Sequence, residues 1–280
     1  MPHTTSKISP TAYATGQFWV RQGLSDPRLS TPQGRRLDRL FNTFLRSIGG
    51  QSFNTLLLAR HVGIDRLLER AIEQGRVHTV IELAAGLSGR GLRMVRRYGE
   101  QIRYIETDLP HMIATKRDLL EADQRLPPNH RLRAVDVLQD SGPLSLAALT
   151  EKLDSAQGVA IISEGLMNYL NPEQAMHVWT NIARTLSRFD NGTYLADAYL
   201  LDAQNSLAAK LIGTALSVFV QGRIHIHFAC ESAGLALMQH AGFADAALHT
   251  PQSLVASAPT PKKRKDRDRV VLLEARTRQR

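Results

Sequence analysis

The 280-residue sequence holds one cysteine, Cys230, so no internal disulfide can form and nothing points to an oxidising compartment or a thiolate metal cluster. No run approaches the roughly eighteen apolar residues that span a bilayer. The start, Met1 to Pro10, is polar and lacks the apolar centre of a secretion signal. A cytoplasmic chain with no membrane partner is therefore expected. Acidic residues are in deficit, 26 against 35 basic ones, which gives a net charge of +9. Residues 262–280 carry nine of the basic and three of the acidic side chains, so six of the nine excess charges sit there. A run such as Lys262, Lys263, Arg264 and Lys265 reads as a solvated loop, and a nucleic-acid partner is disfavoured. What is present is 43% apolar and 22% charged residues, enough for a sizeable core and too apolar for disorder to dominate.

From about residue 77 short β-rich runs alternate with helix-length intervals, the pattern of a parallel sheet covered on both faces. The runs are Val77 to Leu83, Ile102 to Glu106, Leu132 to Val135, Val159 to Ser163 and Thr193 to Tyr199. Two later runs, Phe243 to Leu248 and Val270 to Ala275, are separated by a Pro- and charge-rich loop and are expected to pair antiparallel at one edge. Ile64, Leu67, Leu68, Ala71 and Ile72 form one face of a helix that Gly75 can end. Asn171-Pro172-Glu173-Gln174 carries an N-cap residue, proline at the first helical position and glutamine at the third, so a helix is predicted from there to about Arg188. Two more helices are expected over 203–220 and 228–242. The resulting organisation is a helical cap over 1–76, then a core over 77–280 with a helical insertion at about 203–242 above the substrate side.

In an open parallel sheet, ligands bind beyond the carboxyl ends of the strands, where strand order reverses. The first run ends in Glu82-Leu83-Ala84-Ala85-Gly86-Leu87-Ser88-Gly89, a loose relative of the nucleotide-binding turn. Ala84 and Ser88 argue against the dinucleotide fingerprint, and no phosphate loop is present, so a pyrophosphate ligand is disfavoured. The second run ends in Glu106-Thr107-Asp108, the distance at which a carboxylate reaches ribose hydroxyls. Asp136 follows the third run and Glu164 the fourth. With Glu82, four successive strands place an acid near one sheet edge, where a ligand with a ribose, an amino group and positive charge would suit them.

Four of these runs resemble successive motifs of the leucine carboxyl methyltransferase family, including its bacterial polyketide O-methyltransferase branch. They are Ile81 to Arg90, Tyr104 to Pro110, Ala134 to Leu138 and Ser163-Glu164-Gly165-Leu166-Met167-Asn168-Tyr169-Leu170. The resemblance extends from about Leu56 to the final strand and is faint in the first fifty residues. It implies a class I methyltransferase fold: α/β, Rossmann-like and doubly wound, with a mostly parallel seven-stranded sheet, helices on both faces and an antiparallel C-terminal hairpin. It also implies S-adenosyl-L-methionine as cofactor. By resemblance Arg60 holds the cofactor carboxylate, Glu82, Ala84 and Gly86 form the glycine-rich turn, and Asp108 binds the ribose. Asp136 and Val137 contact adenine, and Glu164 faces the methionine amino group. The family's first glycine is here Ala84, and its Asp-Thr before Arg90 is here Ser88-Gly89.

Methyl transfer from a sulfonium requires alignment of nucleophile, methyl and sulfur, and needs no metal. A carboxylate acceptor is already ionised and needs only orientation, whereas a hydroxyl benefits from a base. The candidates for that role are Tyr169 and the pair His225 and His227, whose alternation also fits two solvent-facing imidazoles. The expected activity is O-methylation of a carboxylate or hydroxyl on a small, largely apolar acceptor of the kind found in secondary metabolism. A protein C-terminal carboxylate as acceptor, or a non-catalytic cofactor-binding homologue, are the rival readings. The stretch 203–220, rich in Leu, Ile, Val and Ala, suits an apolar small acceptor.

Overall fold

Every side chain of β1 (Thr79–Leu83) and β4 (Val159–Ser163) is buried, as befits strands covered on both faces. They are the centre of a seven-stranded sheet of order β3-β2-β1-β4-β5-β7-β6. Its other strands are β2 (Arg103–Asp108), β3 (His130–Ala134), β5 (Gly192–Tyr199), β6 (Asp245–His249) and β7 (Val270–Arg276). The computed structural model describes residues 9–47, 51–122, 126–201, 224–254 and 270–278. Strands β1 to β5 run parallel, and β7 is antiparallel to both β5 and β6. Each run read as a strand in the sequence lies on one of these. The third is displaced, because β3 starts two residues before Leu132 and ends at Ala134.

The two-residue period of β1 splits its side chains between two layers. Val80 joins Ile64, Leu67 and Leu68 of α3 (Gln51–Glu73) and Met94 and Val95 of α4 (Arg90–Tyr98). Ile81 and Leu83 join Val178, Trp179 and Ile182 of α7 (Pro172–Leu186) on the opposite face. Each fully buried aliphatic side chain contributes roughly 1.5–3 kcal/mol, so these two layers supply most of the core. The reciprocal bonds of a capping box start α7 as expected, with Asn171 accepting from the Gln174 N–H and Gln174 accepting from the Asn171 N–H. Gly75, at φ +67°, follows the end of α3. Ahead of α3, α1 (Ser9–Arg21) and α2 (Pro32–Ser47) pack on each other, while α3 packs on β5 and β7. The expected helix over 228–242 is α8, Glu231–Ala241, which ends at Gly242 in left-handed backbone. The expected helix over 203–220 and the Lys262 to Arg269 loop lie outside the described residues.

At the open side of β3, arginines cover the outward carbonyls. Arg131 reaches the His130 carbonyl at 3.3 Å, and Arg133 and Arg117 (α5, Pro110–Glu121) reach that of Leu132 at 3.0 and 3.3 Å.

The turn after β1 carries the fold's one described non-glycine residue in left-handed backbone, Ala84 at φ +50°. Its methyl costs about 1–2 kcal/mol there, against roughly 0.4–1 kcal/mol that a glycine would lose through the freer unfolded chain. Ala84→Gly is therefore expected to stabilise the protein by about 0.5–1 kcal/mol, read from urea denaturation midpoints at unchanged slope.

Candidate active site

Strand order reverses between β1 and β4, and a cleft opens beyond the carboxyl ends of those strands. Its walls come from the turn Ala84 to Ser88, the ends of β2 and β3, and the segment from Glu164 to Leu170. Helix α1 adds Thr11, Ala12, Thr15 and Trp19. Of the eleven candidate residues read from the sequence, nine line this cleft: Arg60, Glu82, Ala84, Gly86, Asp108, Asp136, Val137, Glu164 and Tyr169.

Behind the cleft lies a buried ionic network built by the alternation that placed Val80 against α3 and α4. Glu82 shares Val80's face, so it meets α4 at Arg90, which is completely buried. Arg90 pairs with Glu82, with Asp65 of α3 at 2.6 Å, and with Glu164 beyond β4. Glu82 also accepts the Tyr104 hydroxyl at 2.8 Å. Its carboxylate thus turns to Arg90 and Tyr104, so Glu82 supports the cleft wall instead of offering a free acid to a ligand. Glu164 further accepts from Arg60 Nε at 3.0 Å and His61 Nδ1 at 2.8 Å. His61 Nε2, 2.8 Å from an Arg93 guanidinium nitrogen, is then the acceptor. Burial opposes ionisation of Glu164, but His61, Arg90 and Arg60 outweigh it and hold its carboxyl well below the usual range. The Trp19 indole stacks on the buried His61 ring with centroids 4.1 Å apart, which docks α1 onto the network.

Arg60 donates through Nη1 to Asp197 and the Tyr199 hydroxyl of β5, both at 3.2 Å. Burial works against its charge, but Tyr199, Asp197 and Glu164 together raise its pKa. Linked by these ion pairs are three guanidiniums, Arg60, Arg90 and Arg93, and four carboxylates, Asp65, Glu82, Glu164 and Asp197. Leaving His61 aside, the cluster carries one negative charge in excess, which suits a ligand end of net positive charge.

Asp108 closes the turn from the other side, accepting the Gly86 and Leu109 N–H groups at 2.8 Å each. Burial pushes its pKa up, and these two bonds work against the rise. Asp136 accepts the Leu138 N–H at 3.1 Å. The Ser88-Gly89 departure is accommodated locally: the Ser88 hydroxyl accepts the Arg90 N–H at 3.2 Å. A Cβ on Gly89 would come within 2.7 Å of Ser25 Cα, so a larger residue has no room there.

The catalytic candidates separate. Tyr169 lines the cleft, and burial raises its pKa, so it keeps its proton and can donate a hydrogen bond. Among the described residues that line the cleft, His225 and His227 are absent, and both meet the turn that carries Tyr169: the His225 N–H donates to the Asn168 carbonyl at 2.8 Å. His227 pairs through Nε2 with the Met167 carbonyl at 2.9 Å and packs edge-on against Trp179. Burial lowers its pKa. The two imidazoles do stack on each other, as their alternation implied. Glu106, the neighbouring acid to Asp108, is fully buried against Lys116 and against His130 Nε2 at 3.2 Å. It is therefore structural and cannot meet a ribose. Sequence reasoning missed Asp197, His61, Asp65 and the structural part of Arg90. A usable sign was present for Asp197, a carboxylate inside the apolar run of β5 that burial obliges to find a cation.

Residues 23–183 match the sequence profile described as leucine carboxyl methyltransferase. The leucine carboxyl methyltransferase 1 of Debaryomyces hansenii is 24% identical over 174 residues, covering 50% of this chain and 47% of that protein. The chain thus aligns with about half the length of that relative. A Frankia alni protein described as a candidate S-adenosyl-L-methionine-dependent methyltransferase is 28% identical over 213 residues, 68% of this chain and 70% of that one. The crystal structure of a candidate methyltransferase from Thermobifida fusca superposes with a TM-score of 0.68 at 12% identity, covering 98% and 95% of the two chains, a likeness of fold. Among the described residues no helix is long and apolar enough to cross a membrane.

Acid stability follows from the Glu106 pair. Burial opposes its ionisation, yet Lys116 and His130 lower its pKa from 4.5 to about 2. A depressed carboxyl contributes stability that is complete above the unfolded value and disappears as pH falls through the folded one. Glu106→Gln should therefore flatten the dependence of unfolding free energy on pH between 4.5 and 2, measured by urea denaturation across that window. An unchanged acid limb would remove Glu106 from the account.

Proposed function

The chain belongs to the leucine carboxyl methyltransferase family of S-adenosyl-methionine-dependent enzymes, and we propose that it methylates an oxygen, carboxylate or hydroxyl, of a small and largely apolar molecule. One observation carries this reading: a single cleft at the strand-order reversal gathers Arg60, Asp108, Asp136 and Glu164 with Tyr169. The residues fit the cofactor. Among the described residues Arg60 bonds Glu164, Asp197 and Tyr199 through Nε and Nη1, so Nη2 would be the nitrogen to meet the carboxylate of the methionine end. Glu164 and the network's excess negative charge suit the ammonium and the sulfonium. Asp108 would take the ribose hydroxyls, Asp136 and Val137 the adenine, and the turn Glu82 to Gly86 the close backbone approach.

When bound, S-adenosyl-methionine supplies an electrophilic methyl on a sulfonium whose departure leaves a neutral thioether. The protein's task is then alignment, worth several kcal/mol when reacting groups are held near attack distance. Tyr169, kept as a neutral phenol by burial, would donate to an acceptor oxygen and orient it without removing a proton. An acceptor already ionised at neutral pH needs nothing more, which favours a carboxylate over a hydroxyl. The family's name points the same way, and a peptide C-terminal carboxylate is the second reading. The apolar sequence of 203–220 supports the small-molecule acceptor.

Calorimetric titration of the full chain with S-adenosylhomocysteine is expected to give a dissociation constant in the micromolar range. Asp108→Ala should weaken it by about 1–3 kcal/mol, because ribose hydroxyls lose a charged acceptor. No heat at high micromolar ligand would sink the cofactor assignment. Labelled S-adenosyl-methionine offered with panels of carboxylic acids, phenols and C-terminal peptides then reads the acceptor. Label is expected in base-labile esters of the small acids, and transfer to peptides alone would establish the second reading.

A further inference from the structure

We propose that Asp197 is a positioning residue for the cofactor's amino-acid end, acting through Arg60 and through the turn that carries Glu164. The inference rests on the cofactor assignment above. Asp197 lies on β5 one residue past Ala196, which pairs with Ser163 of β4, so it sits beside Glu164 at the adjoining strand end. Its side chain is 4% exposed and is not part of the cleft wall. Its two oxygens hold two different things: Oδ1 accepts the Gly165 N–H at 2.7 Å, and Oδ2 accepts Arg60 Nη1 at 3.2 Å.

That double attachment fixes the pair of charges a zwitterionic ligand must meet. Gly165 stands at φ +67°, so the turn after Glu164 has a specific backbone shape, and the bond from Asp197 anchors it. Arg60 is held at Nε by Glu164 and at Nη1 by Asp197 and Tyr199, which locks the guanidinium plane and, among the described residues, leaves Nη2 over. Without the Asp197 carboxylate, Glu164 is the one charged acceptor left to Arg60 among the described residues, with the neutral Tyr199 hydroxyl beside it, so the guanidinium is drawn towards Glu164 instead of facing a ligand carboxylate separately. Burial raises the Asp197 pKa and the neighbouring Glu164 adds to the rise, while Arg60 and the Gly165 N–H oppose it.

Asp197→Asn separates the two attachments, because an amide oxygen can still accept the Gly165 N–H while the carboxylate at Arg60 Nη1 is gone and Glu164 remains. The experiment compares S-adenosylhomocysteine, which carries the amino-acid end, with 5′-methylthioadenosine, which lacks it, by calorimetry on wild type and variant. The expected result is a loss of roughly tenfold or more in affinity for S-adenosylhomocysteine with methylthioadenosine unchanged within about twofold. Equal weakening of both ligands would show general damage to the fold, and no weakening of either would show that Asp197 does not act on the site; each overturns the proposal. If the asparagine variant does not fold, Asp197→Ser, which also removes the carboxylate from Arg60 Nη1 and leaves a smaller polar side chain, carries the same test with the same selective loss expected. Wild type that binds neither ligand would overturn the cofactor assignment itself, an outcome distinct from a wild type that binds both and a variant that matches it.

Discussion

The completely buried guanidinium of Arg90 is the interaction on which the site depends. It ties Asp65 of α3, Glu82 of β1 and Glu164 beyond β4 into one unit. An isolated buried charge is not tolerated: removing the cation would leave Glu82 without a cationic partner among the described residues and take one from Asp65 and one from Glu164, which keep Arg93 and Arg60, and breaking a buried pair costs roughly 3–5 kcal/mol. The same interaction that fixes the packing of α3 and α4 on the sheet also fixes the acid at the cleft. Folding and site geometry are here one constraint.

Around that hub the cleft is arranged by charge separation. Arg60 and Glu164 are partners, yet each has a second anchor, Asp197 and Tyr199 for the arginine and His61 and Arg90 for the acid. The anchors come from different elements and hold the two charges side by side. Trp19 carries the arrangement into α1 by stacking on His61, so the wall contributed by the first helix rests on the same network.

Much of this was legible in the sequence, for definite reasons. Strands buried on both faces read as short apolar runs, and acids just past such runs stand out, which is why Asp108, Asp136 and Glu164 could be placed. Asn171 and Gln174 announced their helix because capping is a local interaction. The hub was not legible, because His61, Asp65 and Arg90 look like ordinary polar residues of helices and come together only through tertiary packing. For His225 and His227 alternation fixes which residues share a face and says nothing about what lies opposite. The wall from α1 was hidden for another reason: Thr11, Thr15 and Trp19 belong to a stretch with faint family resemblance, and no periodicity marks a helix as lining a cleft.

The arginines along β3 change the meaning of the positive charge. An unguarded outer strand offers a row of backbone groups to any extended chain, the starting point of intermolecular sheet growth. Here Arg131, Arg133 and Arg117 occupy the His130 and Leu132 carbonyls. Two approaching copies would bring like charges together while finding those acceptors already taken. Part of the basic excess thus lies along the outer strand, where a charged rim with its acceptors taken is a poor template for another strand.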